Sequence, residues 1–235
     1  MSQFNKDGVR MLTFVNGSSK IKGLAEYLSI ARKHVWSFGI PAGYTCPKAS
    51  LCQSYANPKT GKITDGKDCQ FRCYAASLEA RYPNSRKNHW DNYNNLLYTD
   101  DIYRLIMRSI PKHAKIIRIH SSGDFYSKEY FLAWCEVARM RPDITFFGYT
   151  KVLDYVDYEK PKNFTLTYSM GGKDDHLYSG QPACKVVKSE SAAARINIPV
   201  SCIAHKSDDY DYIMRKESFA IVIHGTQPKK KVTTK

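Results

Sequence analysis

The sequence lacks the features that would place the protein in a membrane or outside the cell. It has no run of about 18 apolar residues, so no segment is long enough to span a bilayer as a helix. The first residues, MSQFNKDGVRMLTF, lack the successive basic, apolar and small-residue regions of a secretory signal peptide. No internal repeat or low-complexity linker divides the 235 residues. We therefore expect a soluble cytoplasmic protein with no membrane partner, built as a single domain over residues 1–228.

Acidic residues are scarce compared with basic ones. The chain has 22 Asp and Glu against 36 Lys and Arg, which gives a formal net charge of +14. Residues 229–235 carry four lysines, and we expect them to form a basic disordered tail. Without those four charges +10 remains, so the excess belongs to the folded body. A surplus of this size favours DNA as a partner, because each neutralised phosphate releases counterions. A basic protein with no polyanionic partner is the alternative.

The second half of the chain alternates between short apolar runs and amphipathic stretches. Strand, helix, strand, helical turn and strand follow one another, which is typical of a parallel sheet with right-handed crossovers. The N-terminal third is irregular, because Gly and Pro interrupt its short apolar runs. We therefore predict an α/β fold, a parallel-sheet (β/α) barrel-like single domain with an irregular cysteine-bearing N-terminal segment. The predicted strands are 115–120, 144–151, 163–172 and 219–225, and the predicted helices include 69–82 and 127–141.

The predicted strands end in polar residues and glycine. In parallel α/β folds, ligands bind beyond the carboxyl ends of the strands, which all lie on one rim. We therefore predict that this rim is the functional site. The candidate residues are His120, Ser122, Gly123, Asp124, Phe125 and Tyr126 after the first of these strands, Tyr149 and Lys151 at the second, Ser169 and Gly171 at the third, and His224 at the last.

Four cysteines in the N-terminal half are candidate metal ligands: Cys46, Cys52, Cys69 and Cys73. In an intracellular protein, cysteines favour metal binding, catalysis or buried thiols over disulfides. Cys69 and Cys73 are four residues apart, so on a helix their thiols would face the same way. Together the four thiols could hold zinc or an iron–sulfur cluster, and buried structural thiols are the alternative.

The stretch CQFRCYA resembles the three-cysteine signature of radical enzymes that use S-adenosylmethionine. The third cysteine of that signature is replaced here by Ala76, which cannot be a ligand. Cys46 or Cys52 could substitute for it. The resemblance therefore implies an iron–sulfur enzyme as one alternative function.

Several longer motifs lie along the chain: FGIPAGYTCPKASLC, FRCYAASLEARYP, RIHSSGDF, GYTK and IVIHG. Together they span roughly residues 36–225, which is most of the chain. In these motifs the chain resembles a family of small phage proteins named for gene product eighty-eight of a mycobacteriophage. The resemblance implies a phage-encoded protein that acts in the host cytoplasm.

Some phage proteins of similar size and charge resemble DNA 7-deazaguanine transglycosylases, which are distant relatives of the tRNA-guanine transglycosylases. That resemblance implies a parallel barrel, generally with zinc, in which aspartates help to exchange guanine for a preQ0-type 7-deazaguanine base. The partners would be DNA and the small-molecule base. It rests on architecture, charge and phage context, so no residue is carried over.

Base exchange would give the rim residues distinct roles. A carboxylate must attack or shield the sugar carbon as the base leaves, and Asp124 suits that role. Gly123 would allow the sugar–phosphate backbone to approach closely, and His120 could orient Asp124 or move a proton. Lys151 could hold a phosphate or the carbonyl of the base. Phe125, Tyr126 and Tyr149 could stack on a base taken out of the duplex.

Two other interpretations of these motifs remain open. The sequence SSGD is also a good turn and helix N-cap, in which Asp124 or Ser127 accepts backbone hydrogen bonds. The whole chain could also be a non-catalytic nucleic-acid-binding protein, and its biological effect would then survive loss of the Asp124 carboxylate.

Overall fold

The computed structural model describes residues 9–194, 203–204, 209–223 and 226–227. The predicted site residue His224 and the predicted tail at 229–235 lie outside these described residues. Within the described part, the chain forms one mixed α/β domain in which helices surround a curled sheet. No helix among these residues combines the length and apolarity needed to cross a bilayer.

The main sheet has seven strands, all parallel, in the order β1-β4-β5-β6-β7-β9-β8. Six of these strands curl into a half-barrel, and the two-residue β8 lies at one edge. This confirms the predicted parallel-sheet, barrel-like fold. A separate antiparallel hairpin, β2 with β3, lies in the N-terminal half. The strands are β1 Val35–Ser37, β2 Ser54–Ala56, β3 Ile63–Asp65, β4 Ile116–Ile119, β5 Thr145–Thr150, β6 Phe164–Ser169, β7 Ala183–Val187, β8 Ile203–Ala204 and β9 Phe219–Val222.

The helices connect the strands and cover both faces of the sheet. Ser127 accepts a hydrogen bond from the backbone N–H of Tyr130 and so caps α5, as predicted. Asp101 caps α4, because its carboxylate accepts a hydrogen bond from the Arg104 N–H. The helices are α1 Ser19–Tyr27, α2 Tyr74–Arg81, α3 Pro83–Leu97, α4 Ile102–Ser109, α5 Lys128–Met140, α6 Leu153–Asp157, α7 Glu190–Ala194 and α8 Asp209–Arg215.

The two faces of the sheet bury different sets of residues because side chains alternate along each strand. The outer face packs against α4 and α5 through a large apolar cluster that includes Ile117, Trp134 and Phe146. The opposite face, which we call the inner face, packs against α1 and α8 and buries residues such as Ile21 and Phe147. The carboxyl ends of the strands between these two layers form the predicted rim.

Candidate functional site

The segment that follows β1 lies across the rim. Its first part continues beside β4, since the Phe38 N–H donates to the Arg118 carbonyl and the Ile40 N–H to the Ser122 carbonyl. Further on, the Leu51 N–H donates to the Gly171 carbonyl, at 3.0 Å, beyond the end of β6. Residues 38–52 therefore run along the carboxyl ends of several strands, where a ligand would bind.

A second part of this segment reaches the last strand. The backbone of Arg72 exchanges two hydrogen bonds with the side chain of Gln227, which lies shortly after β9. The Ser77 hydroxyl donates to the carbonyl of Thr226. All four candidate cysteines lie in this stretch between β1 and α2. The stretch between β1 and α2 therefore supplies the cover of the rim.

Cys69 and Cys73 do not share a helix, which corrects the predicted helix from residue 69. Cys69 lies in a turn, where its N–H donates to the Gly66 carbonyl, and Cys73 is the N-cap of α2. The backbone N–H groups of Gln70 and Phe71 both donate to the Leu51 carbonyl, which holds this part out of the helix. The four-residue spacing therefore does not place the two thiols on one helical face.

The four thiols nevertheless lie near one another. Burial raises the pKa of Cys46 well above its usual value, and negative charge on Asp124, Cys73 or Cys52 would raise it further. Burial raises the pKa of Cys73 to about 12, with Cys52 the next cause. The pKa of Cys69 is raised by burial and, to a smaller extent, by Cys52. All four are free thiols, so they are chemically able to bind a metal.

The donor chemistry fits a soft metal, although the described residues are not already arranged as a ligand set. Among them, no three Cys, His, Asp or Glu side chains are placed to hold one ion. Thiolate is the form that binds metal, and these buried thiols are protonated in the metal-free protein because their pKa values are raised. A metal would therefore have to displace protons and draw the thiols together.

Asp124 is buried at the rim and joins two strand ends. Its carboxylate accepts hydrogen bonds from the backbone N–H of Phe125 at 2.7 Å and from that of Lys151 at 2.8 Å. Only 4% of the residue is exposed. Burial raises its pKa to about 6, and the backbone hydrogen bonds partly oppose that shift. Asp124 therefore links the end of β4 to the end of β5, which agrees with the alternative interpretation of SSGD as a turn.

His120 is a buried neutral imidazole in the left-handed backbone region, with φ of 60°. Its Nε2 lies 3.0 Å from the Tyr130 hydroxyl, and its Nδ1 has no hydrogen-bond partner among the described residues. Burial lowers its pKa to about 3, so it does not gain a proton near neutral pH. In this structure His120 does not hydrogen-bond to Asp124.

Lys151 and Ser122 use their polar groups to join other elements. The Lys151 ammonium donates to the carbonyls of Ser169 and Met170, at 2.7 and 2.8 Å, and to the Ser169 hydroxyl, at 3.2 Å. These three acceptors occupy its three donors, and the residue is buried. Ser122 donates to Oε1 of Glu79 at 2.5 Å. The predicted substrate-binding residues Ser122 and Ser169 are therefore held by neighbouring side chains.

The backbone conformation and the packing explain why glycine occupies the two predicted site positions 123 and 171. A Cβ on Gly123 would lie 2.5 Å from side-chain atoms of Ile40 and Thr45, and its φ is +82°. The close approach at Gly123 is therefore made by the segment that covers the rim. Gly171, with φ of +92°, donates its N–H to the Asp175 carboxylate. Both glycines support the loops that build the site.

The three predicted stacking residues have different environments. Phe125 is fully buried among aromatic side chains of the outer-face core. Tyr126 is half-buried and stacks on Tyr130, with ring centres 4.6 Å apart. Tyr149 is half-buried on the inner face, where its hydroxyl donates to Asp209 at 2.7 Å. Of the three, Tyr126 is the one beside an aromatic surface.

That surface is a row of rings beside the rim, which we call the aromatic row. Consecutive ring centres are 5.0–6.1 Å apart, and Tyr44, next to the cysteine segment, is 44% exposed. Sequence reasoning did not single out this row, because its members come from separate elements. The aromatic row consists of Tyr55, Tyr44, Trp90, Tyr93 and Tyr126.

Glu79 is the main rim residue that sequence reasoning missed. It is fully buried on α2, and its Oε1 accepts three hydrogen bonds, from the Ala42 N–H, from Ser122 and from His89 Nδ1. Its Oε2 is buried with no hydrogen-bond partner among the described residues. Its charge also raises the pKa of Cys73, so it lies close to the thiols. The sequence signal that could have identified Glu79 was its position within the motif FRCYAASLEARYP.

These features define a class: an α/β half-barrel protein whose rim is covered by a cysteine-bearing segment. Within that class, the model of the Gene product 88 family matches residues 11–235. The chain therefore belongs to the Gene product 88 family and is a bacteriophage protein of that family. This confirms the family resemblance seen in the motifs.

Two curated relatives have moderate similarity. The Gene 88 protein of Mycobacterium phage L5 is 27% identical over 150 residues, which cover 57% of this chain and 56% of the relative. The Gene 88 protein of Mycobacterium phage D29 is 28% identical over 149 residues, covering 57% and 55%. The matched part thus spans little more than half the length of either relative. No solved structure matches the chain. The expected cytoplasmic location stays a prediction.

Proposed function

We propose that the protein is an enzyme with an iron–sulfur cluster at the rim, held by Cys46, Cys52, Cys69 and Cys73. The observation that supports this most is the position of the thiols. The segment that carries all four crosses the carboxyl ends of the parallel strands, where this type of fold binds ligands. Four thiolates are the usual ligand set of such clusters, which would supply electron transfer. Zinc held by the same cysteines is the alternative metal.

Neighbouring residues fit a metal centre in this position. Glu79 has a buried carboxylate oxygen, Oε2, without a hydrogen-bond partner among the described residues, and its charge raises the pKa of Cys73. The Ser54 hydroxyl donates to the Cys52 carbonyl at 3.4 Å, lies 3.7 Å from the Cys69 sulfur and accepts a hydrogen bond from the Cys73 N–H. Such second-layer hydrogen bonds orient metal ligands and tune the metal. Five residues lie between Cys46 and Cys52, more than the two to four that are usual in structural zinc sites, whereas the three between Cys69 and Cys73 fall within that range.

Anaerobic purification tests the cluster. We expect a brown protein that contains iron and acid-labile sulfide, and we expect Cys73→Ser to lose most of both. Cys135→Ser is the matched control, because Cys135 is a buried thiol of α5 in the outer-face core. Circular dichroism of both variants checks that they are folded. Colourless wild-type protein with zinc or no metal after anaerobic reconstitution, or full iron in folded Cys73→Ser, would contradict the proposal.

A second candidate function is exchange of guanine in DNA for a 7-deazaguanine base. The observation that favours it is the aromatic row beside Asp124 and the rim, since unpaired bases stack on such rings. The net charge of +14 suits a DNA partner. It ranks second because both oxygens of Asp124 already accept backbone hydrogen bonds. The cysteines would then hold zinc.

Nucleoside mass spectrometry of plasmid DNA tests this second candidate. Cells that express the protein would be grown with and without a 7-deazaguanine precursor. Base exchange predicts a precursor-dependent modified deoxyguanosine that disappears in folded Asp124→Asn and in Trp90→Ala. Unmodified DNA with soluble protein and precursor present would contradict base exchange. Retained DNA binding in that case would favour a non-catalytic nucleic-acid-binding protein.

A further inference from the structure

The inner face of the sheet carries an arginine that contacts no counter-ion among the described residues. Arg118 lies on β4, and its guanidinium carbon is 5.3 Å from the centre of the Tyr149 ring. Its Nε is buried and has no hydrogen-bond partner among the described residues. No described carboxylate lies within ion-pair distance of this guanidinium. A buried N–H donor without a partner costs free energy, so an acceptor that is not a described residue would stabilise it.

The surroundings of Arg118 have an excess of positive charge. Asp209, the nearest acidic residue, is already used by Lys20 at 2.8 Å and by the Tyr149 hydroxyl at 2.7 Å. Burial alone would raise the pKa of Asp209, but the charges of Arg118 and Lys20 lower it below its usual value. One carboxylate therefore faces two cations.

A third cation lies on the same side of the sheet. Burial is the largest cause of the raised pKa of Cys184, and the charges of Lys151, Lys20 and Arg118 all act on that thiol in the opposite direction. The Cys184 thiol is buried on the inner face and is therefore near all three cations. Among the described residues, the charge of this region is thus three cations to one carboxylate, an excess that favours an anion.

A hydroxyl that has no hydrogen-bond partner among the described residues lies on the same face of the sheet. Thr167 is opposite Tyr149 in the register of β5 and β6, and it is fully buried. Its side chain lies on the inner face, because Leu166 and Phe164 belong to the outer-face core. Its Oγ1 has no hydrogen-bond partner among the described residues. Arg118 on β4 and Thr167 on β6 thus each have a buried polar atom without a hydrogen-bond partner among the described residues. Both lie on the inner face, on the two strands that flank β5.

We propose that this inner-face site binds the oxyanion group, a phosphate or a carboxylate, of a small organic ligand. Arg118 supplies the planar fork that suits such groups, Thr167 adds a hydroxyl, and the Tyr149 ring packs against the guanidinium. Lys20, whose side chain is 38% exposed, connects the site to solvent. The proposal uses none of the four rim cysteines and goes beyond the proposed cluster.

Thermal unfolding of the metal-free protein tests the site. Phosphate and acetate are added in separate series, each compared with sodium chloride at equal ionic strength. We expect at least one oxyanion to raise Tm beyond the chloride control, and the dissociation constant for it to rise about tenfold in Arg118→Gln. Arg104→Gln is the matched control, because the Arg104 side chain is 78% exposed and pairs with Asp101, the N-cap of its helix.

The outcomes distinguish oxyanion binding at Arg118 from non-specific binding to surface charges. An equal oxyanion effect in folded Arg118→Gln would overturn the proposal, and so would the absence of any oxyanion effect in the wild type. If Arg118→Gln does not fold, Arg118→Lys is used, which keeps the charge and loses the bidentate fork, and unchanged affinity there would also overturn the proposal. Phosphate against acetate identifies the preferred group. Cys73→Ser should keep the oxyanion effect. The oxyanion site can therefore fail or succeed independently of the proposed cluster.

Discussion

Glu79→Ala is expected to destabilise the protein by about 3–5 kcal/mol, because several donors lose their buried acceptor at about 1–3 kcal/mol each. Three donors, the Ala42 N–H, Ser122 and His89, all meet at Oε1 of this fully buried side chain. Alanine removes their shared acceptor and leaves each of them with an unmade hydrogen bond. Urea unfolding, followed by circular dichroism, measures the loss.

Glu79→Gln distinguishes the role of the shared oxygen from that of the charge. Its amide carbonyl can occupy the position of Oε1, and its NH₂ replaces Oε2, which has no partner among the described residues. We expect the glutamine variant to lose about 1 kcal/mol or less, within the range of ordinary substitutions. Glu136→Ala, which breaks an exposed ion pair with Arg139, is the control and should change stability by about 0.5 kcal/mol at most. Equal losses in both Glu79 variants would contradict this account.

Asp124→Ala is expected to cost about 2–6 kcal/mol at pH 5, because two buried backbone N–H groups lose their acceptor at about 1–3 kcal/mol each. The cost should be smaller at pH 8. Burial raises the pKa of Asp124 from 3.8 to about 6, so the folded state holds its proton at pH values where the unfolded state has lost it. The stability linked to this proton is therefore fully present below pH 3.8 and is lost as the pH rises through about 6.

The size of this pH effect follows from the shift itself. At 1.36 kcal/mol per pKa unit it amounts to about 3 kcal/mol over the whole range, of which about 1–2 kcal/mol falls between pH 5 and pH 8. The difference in unfolding free energy between wild type and Asp124→Ala should shrink by that amount. Urea unfolding of the metal-free proteins at both pH values measures it. Asp143→Ala, which removes an exposed carboxylate paired with Arg141, should show no such change. If the difference in unfolding free energy between wild type and Asp124→Ala grew as the pH rose, the raised pKa of Asp124 would be contradicted.

Asp124 variants therefore need a stability measurement beside any activity measurement. Loss of a modified base in Asp124→Ala could result from an opened rim instead of a missing catalytic group. Trp90, in the aromatic row, is a cleaner probe of base contact because it lies on α3, away from the junction of β4 and β5.

Sequence patterns predicted the second half of the fold well. Strands β4, β5, β6 and β9 and helix α5 lie where apolar runs and helical spacing placed them, because local pattern and burial agree there. Helix α1 was missed: the N-terminal third was expected to be irregular, and Gly23 interrupts the stretch that forms this helix. The helix from residue 69 was wrong because Leu51, which is distant in sequence, holds the backbone of Gln70 and Phe71.

The site was less predictable than the fold. The rim was identified from strand ends, yet those residues mostly bond to one another: Asp124 to the Lys151 backbone and Lys151 to Ser169. Glu79 has no local signal of burial, because a glutamate on a helix is ordinarily exposed. Its partners come from three separate segments, and only the folded chain brings them together.

The cover of the rim depends on parts of the chain that are made late. Lys48 and Leu51 bond to residues 171–173, and Arg72 bonds to Gln227. During synthesis the cysteines leave the ribosome about a hundred residues or more before these partners do. The cover of the rim can therefore form only after Gln227 has been made. If the proposed cluster is held there, its assembly would follow that step, and the four thiols would have to stay reduced during the interval.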